Sequence, residues 1–205
     1  MVATLSKLSL EQLRLKVATG PTPAGVAVAA ISASLALSLV AMTVEVTARK
    51  KSSASGDRAG LRNLLRTAKR SSSQMLTYAD LDVAAFEAYL KSRRSRTAAK
   101  LLKRAREAAL ARAIQTPLKI ARAAAAGLEL CAQAAPLVHS AVAADLAAAA
   151  AILEAAVRAA ARSAESNLRY LPPGGAVCNR VIAERRLVER RAASRVGQIL
   201  ETLTD

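Results

Sequence analysis

"PTPAGVAVAAISASLALSLVAMTVEVTARKK", residues 21–51, decides the fold. Thr22 lies between two prolines, nineteen residues from Val26 to Val44 pass without a charge, and Arg49, Lys50 and Lys51 close the stretch. Each proline fixes φ and turns the residue before it away from helix, so residues 21–23 read as a stiff, extended connection. A helix then begins near Ala24 and runs to about Thr47, with a basic cluster suited to the negative end of its dipole. Its apolar length meets the requirement for crossing a bilayer. Against a membrane span, it is diluted by Ser32, Ser34, Ser38 and Thr43, has no aromatic belt, and meets Glu45 at once. Small side chains throughout are what a central helix needs when neighbours pack closely on every side. The stretch predicts the buried core helix of a bundle.

The remaining sequence agrees. Hydrophobic residues make up 53% of the 205 residues but aromatics only 2%, so the apolar content is mostly Ala, Leu and Val. Alanine is the strongest helix former and a poor strand former. The fold class is therefore all-α, a multi-helix bundle forming a single domain over residues 1–205, large enough to bury a core without disulfides or metals. An amphipathic first helix is predicted over 4–18, carrying Leu5, Leu8, Leu13, Leu15 and Val17. Residues 51–60 read as a flexible linker. Helices follow over about 61–76 and 80–91, then a helix with a basic face over 91–112. Pro117 is expected to open another, reaching about Ala135, with a further helix over about 141–168. The last, over about 180–203, should bury Val181, Ile182, Leu187, Val188, Val196, Ile199, Leu200 and Leu203.

The formal net charge of +16 favours anionic partners. Nucleic acid is disfavoured, because one Phe and three Tyr supply few stacking platforms and no zinc-finger or helix-turn-helix pattern is present. Cys131 and Cys178 are too far apart for a CxxC motif and read as free thiols of a cytoplasmic protein; the N-terminal residues lack the continuous apolar core of a signal peptide. His139 is the only histidine, which excludes a histidine metal cluster, and no serine-triad motif surrounds it. No phosphate-gripping glycine loop occurs. If the protein is an enzyme, its chemistry falls to carboxylates, lysines and backbone groups, since no cofactor motif is present.

Two acids stand inside apolar runs, Asp82 in "DLDVAAF" and Asp145 in "AVAADLAAAAAILEAA". Burial disfavours the charged carboxylate and raises its pKa toward the range useful for proton transfer. The structural alternative is capping, with Asp80 at the start of the helix over 80–91 and Asp145 in the first turn of its own. Asp80 and Asp82 cannot face the same way on one helix.

At this point the sequence resembles the cyclodeaminase/cyclohydrolase family of folate one-carbon metabolism, which includes the cyclodeaminase domain of formiminotransferase-cyclodeaminase and the methenyltetrahydrofolate cyclohydrolases. The family's PTPGGG element, long apolar helix and basic pair resemble residues 21–51. Its DxxAF element resembles Asp82 to Phe86, its VPL helix opening resembles "TPLKIA" from Thr116, and its SDxxxAAxxLE helix ending in NL resembles residues 144–168. Ala24 and Val26 replace two family glycines, and Val138 and His139 stand where the family has Gly-Asn.

The resemblance implies an all-α homodimer with its ligand groove near the subunit contact. It implies folate chemistry at a one-carbon unit bridging two nitrogens: formiminotetrahydrofolate cyclodeaminase, in which ammonia leaves, or methenyltetrahydrofolate cyclohydrolase, in which water opens the ring. The family's catalytic aspartate matches Asp82, and Asp145 would orient substrate or water. Pro21, Thr22, Pro23 and Gly25 would wall the pocket beside His139, while Lys50, Lys51 and the basic helix would hold the anionic glutamate tail. Val26 and His139 keep open a relative repurposed for another heterocycle or acyl substrate, and a non-catalytic helical binding protein is the third reading.

Overall fold

The computed structural model describes residues 4–50, 55–94 and 99–204, without the side chains of residues 55–57, 93–94 and 99–103. The described residues form six α-helices and no strand: α1 (Leu10–Thr19), α2 (Gly25–Lys50), α3 (Ser55–Arg94), α4 (Ala99–Ala134), α5 (Ala143–Ser166) and α6 (Ala176–Thr204). Single 3₁₀ turns precede α1 and flank α5.

The five long helices run up and down. Glu45 of α2 pairs with Lys69 and Ser34 bonds Ser72, so α3 is antiparallel to α2. Arg122–Glu184 and Arg195–Glu129 contacts make α4 and α6 parallel, and Arg162–Glu189 and Arg185–Glu165 make α5 and α6 antiparallel. Helix α2 packs on α3, α4 and α5 and supplies the heart of the core, with Ala27, Ala30, Ala33, Ala36, Leu37 and Val40 fully buried. Close packing is most evident at Gly127 of α4. A Cβ there would meet Leu153 Cδ2 at 3.0 Å and Leu37 Cδ2 at 3.1 Å, so three helices converge where no side chain fits. Helices α2 and the segment 140–170 have the length and apolarity to cross a bilayer, but the inward face of each is committed to its neighbours in the bundle.

Several boundaries differ from the expected ones. Residues 55–60 are helical, and the two helices expected over 61–76 and 80–91 are one, because Thr77, Tyr78 and Ala79 contain no breaker. Asp80 therefore caps no helix start; its Oδ1 accepts the Leu5 N–H at 2.8 Å and ties down the chain before α1. Pro117 lies inside α4 instead of opening a helix. Helix α1 starts later than expected, at a capping box formed by Ser9 and Gln12, and leaves Leu15 and Val17 exposed. Leu187 and Leu200 of α6 are also exposed, since α6 is an edge helix that covers α4 and α5 with one side only. Asp145 lies in the first turn of α5, as capping predicts.

Candidate functional site

The N-terminal end of α2 opens into a cavity of about 160 Å³, lined by Thr22, Gly25, Val26, Asp82, Phe86, Ala113, Pro117, Ser163 and Asn167 among others. Each wall follows from local structure. Gly20 ends α1 in extended conformation, and a Cβ on it would meet the Thr22 carbonyl oxygen at 3.0 Å, so glycine lets the chain double back tightly. The Thr22–Pro23 peptide is cis, and Pro23 is buried. Gly25 starts α2, and a Cβ there would meet nothing within 4 Å, so here glycine keeps the space open. Val26, by contrast, occupies wall and core at once.

Asp82 is the titratable group in this cavity among the described residues. Helix α3 presents it half-buried, with Val83 and Ala85 packed inward on either side. Burial pushes its carboxyl up to about 6, and the Ala27 N–H pulls it partly back. That N–H belongs to the first turn of α2, where amides have no partner within the helix. The end of a helix thus offers backbone donors to whatever occupies the space beside Asp82.

Across the cavity, Pro117 brings no N–H to the Ala113 carbonyl one turn earlier in α4. Asn167, in the turn that follows α5, donates its side-chain amide to that oxygen at 2.8 Å. Sequence reasoning read Asn167 only as part of a motif and assigned Ser163 and Asn167 no part in a site; the break that Pro117 makes in the hydrogen-bond ladder was the available signal. Thr22 donates its hydroxyl to Glu87 Oε1 at 3.0 Å, a contact that no sequence spacing announced.

The residues expected to form one site fall into two groups. Pro21, Thr22, Pro23, Gly25 and Asp82 gather at the N-terminal end of α2, with Thr22, Gly25 and Asp82 lining the cavity. Lys50 ends α2, about 37 Å away at 1.5 Å per residue. His139 lies at that far end too, its N–H donating to Thr47 Oγ1 at 3.0 Å and its Nδ1 accepting from Ala141 at 3.2 Å. Asp145 follows in α5, about 27 Å along that helix from Ser163. Within one chain, Asp145, His139 and Lys50 therefore do not share the Asp82 cavity, because α2 and α5 run antiparallel and hold the two groups at opposite ends. Lys51 lies outside the described residues. Around 91–112, Lys91, Arg104 and Arg112 are exposed, and Arg106 donates to the Ser92 carbonyl at 3.1 Å. Both cysteines are free and buried; burial holds the Cys131 thiol near 12, far from reactive. Among the described residues no three His, Cys, Asp or Glu side chains converge as metal ligands.

The sequence profile of formiminotransferase-cyclodeaminase matches residues 10–179. The fold is similar to the crystal structure of formiminotetrahydrofolate cyclodeaminase from Thermotoga maritima, with a TM-score of 0.86 over 98% of each chain at 20% identity. No curated protein matches the chain.

Proposed function

The chain belongs to the formiminotransferase-cyclodeaminase family, and on that premise we propose that it is a folate one-carbon enzyme in which Asp82 moves the proton at an amidine-type carbon–nitrogen centre. The observation that carries the reading is a half-buried carboxylate raised to about 6, set in a cavity beside the free amides of a helix start. Near neutral pH such a group is mostly ionised yet close enough to protonation to give its proton back.

In the cyclodeaminase reaction, N10 of the folate attacks the formimino carbon and Asp82 takes the proton that N10 loses. The tetrahedral carbon then holds N5, N10 and an amino group. Asp82 returns the proton to that amino group, the carbon–nitrogen bond breaks, and ammonia leaves behind the methenyl bridge. In the cyclohydrolase reaction, water is the nucleophile: Asp82 accepts one of its protons as the carbon–oxygen bond forms, and the other passes to N5 as the carbon–N5 bond breaks, leaving the formyl group on N10. Neither route calls for metal or redox chemistry.

A homodimer fits this reading. Helix α2 leaves a stripe that no other helix among the described residues covers, with Leu35 64% exposed near its midpoint and Ile31, Leu39, Met42 and Val46 only partly buried. Pairing two α2 helices antiparallel about a twofold axis near Leu35 buries both stripes against each other. It also carries the Lys50, His139 and Asp145 end of one copy toward the Asp82 cavity of the other, where Lys50 can meet the glutamate tail.

Adding the protein to formiminotetrahydrofolate and measuring ammonia release tests the first route. Following the near-ultraviolet absorbance of methenyltetrahydrofolate tests the second. Absence of both activities at substantial enzyme concentration defeats the folate reading and favours a family member repurposed for another heterocycle, for which Val26 in the cavity wall is the supporting observation.

A further inference from the structure

Three polar side chains around Asp82, those of Thr22, Ser163 and Asn167, have already committed a hydrogen elsewhere. Thr22 donates to Glu87 Oε1 at 3.0 Å, Ser163 donates to the Ala159 carbonyl at 2.9 Å, and Asn167 gives one amide hydrogen to the Ala113 carbonyl at 2.8 Å. A hydroxyl owns a single hydrogen, so Thr22 and Ser163 have only lone pairs left to offer a ligand, while Asn167 keeps its amide oxygen and a second amide hydrogen. The three groups come from three places in the chain: the connection before α2, the last turns of α5, and the turn after it. Ser163 bonds a carbonyl of its own helix, the usual arrangement for a helical serine. Thr22 is different. Its partner is a carboxylate on another helix, and a hydrogen bond to an ionised acceptor is the stronger kind. Glu87 itself lies on the outer side of Thr22, exposed and away from the cavity lining.

We propose that Glu87 is a positioning residue: acting through Thr22, it makes this wall of the cavity a hydrogen-bond acceptor that receives the N–H face of an amidinium nitrogen. The inference rests on the folate reading and narrows it. A formimino carbon carries a nitrogen whose hydrogens match lone pairs on Thr22, Ser163 and Asn167. A formyl carbon carries an oxygen in the same place, which can only accept and finds no donor in Thr22 or Ser163. The wall therefore distinguishes two ligands that differ by NH against O, and it surrounds the departing nitrogen with acceptors as it leaves.

The test sets the Michaelis constant for formiminotetrahydrofolate against the inhibition constant for its N5-formyl counterpart. In the natural chain the formimino compound is favoured by about tenfold, the worth of one to two hydrogen bonds made or mismatched. Glu87→Ala frees the Thr22 hydroxyl to turn and donate, so the preference falls to about threefold or less through tighter formyl binding. Glu87→Gln still accepts through its amide oxygen and retains the preference. In a Thr22→Val background, Glu87→Ala has no further effect. An unchanged preference in Glu87→Ala overturns the proposal, as does additivity of the two substitutions, which marks a general structural role. Thermal melts accompany each variant, and Glu87→Asp replaces Glu87→Ala if the latter fails to fold. Should the natural chain neither turn over the formimino compound nor be inhibited by the formyl one, the folate reading itself fails; binding without preference defeats only the present inference.

Discussion

Asn167 gives the Ala113 carbonyl a hydrogen bond that Pro117 cannot, reaching it at 2.8 Å across a separation of 54 residues. The helical ladder of α4 is broken where the cavity begins, and the repair comes from another element. The wall of the site is thus made by an exchange of backbone and side-chain partners between α4 and the end of α5.

That exchange predicts a non-additive pair. Asn167→Leu orphans the Ala113 carbonyl and costs about 1–3 kcal/mol, the desolvation penalty of an unpaired acceptor. In a Pro117→Ala background the restored N–H satisfies that carbonyl, and the same substitution costs under about 1 kcal/mol. Urea unfolding of the four chains measures the difference, and equal costs in both backgrounds would contradict the exchange.

Asp82→Asn should lose activity and gain stability. General acid–base groups contribute about 10²–10⁴-fold, so turnover falls by that order. The Asp82 carboxyl titrates near 6 in the folded chain against an ordinary 3.8, so between these values the folded state holds more proton than the unfolded. Its contribution to stability is therefore greatest below about 4, declines as pH rises through about 6, and stays at its lowest above that. Asparagine removes this slope and stabilises the protein at pH 7.5 by on the order of 2 kcal/mol. Thermal melts from pH 4 to 8 measure the slope, and a pH profile of kcat/KM for the natural chain should rise through about 6.

Gly25→Ala leaves the fold intact, since its Cβ meets nothing within 4 Å. The methyl group projects into the space that ligand would occupy, so KM rises with little change in melting temperature. Gly127→Val has the opposite signature, with Leu153 and Leu37 already at contact, and destabilises by about 2 kcal/mol or more. A Gly25→Ala chain with unaltered KM would argue that ligand does not approach α2 there.

Leu35→Arg places a charge at the centre of the uncovered α2 stripe and should yield monomers by light scattering, with activity lost if the site needs two copies. Complementation is sharper. Mixing Asp82→Asn and Asp145→Asn chains by unfolding and refolding produces dimers of which half are mixed, each with one intact site. About a quarter of natural activity then returns, if one copy lends Asp145 to the other's cavity. No recovery would leave Asp145 in the role its first-turn position describes, support for the start of α5.

Much was legible in the amino-acid order. The unbroken apolar run from Val26 fixed a central helix, alanine abundance fixed the all-α class, and Asp82 stood out because a carboxylate among aliphatic neighbours is costly without a use. Each is a local property, carried by propensity and periodicity along one stretch of chain. Helix ends were less legible: Pro117 read as a start because the compensating Asn167 is far away in sequence.

The grouping of site residues belonged to the tertiary structure alone. Thr22, Asp82, Ser163 and Asn167 converge because antiparallel helices fold distant segments back onto one end of α2, and the same antiparallel order carries Lys50, His139 and Asp145 to the other. Helical rise and direction separate or unite side chains over tens of ångströms, and direction is settled only when apolar faces choose their partners. Sequence could say which residues were unusual; packing decided which of them meet.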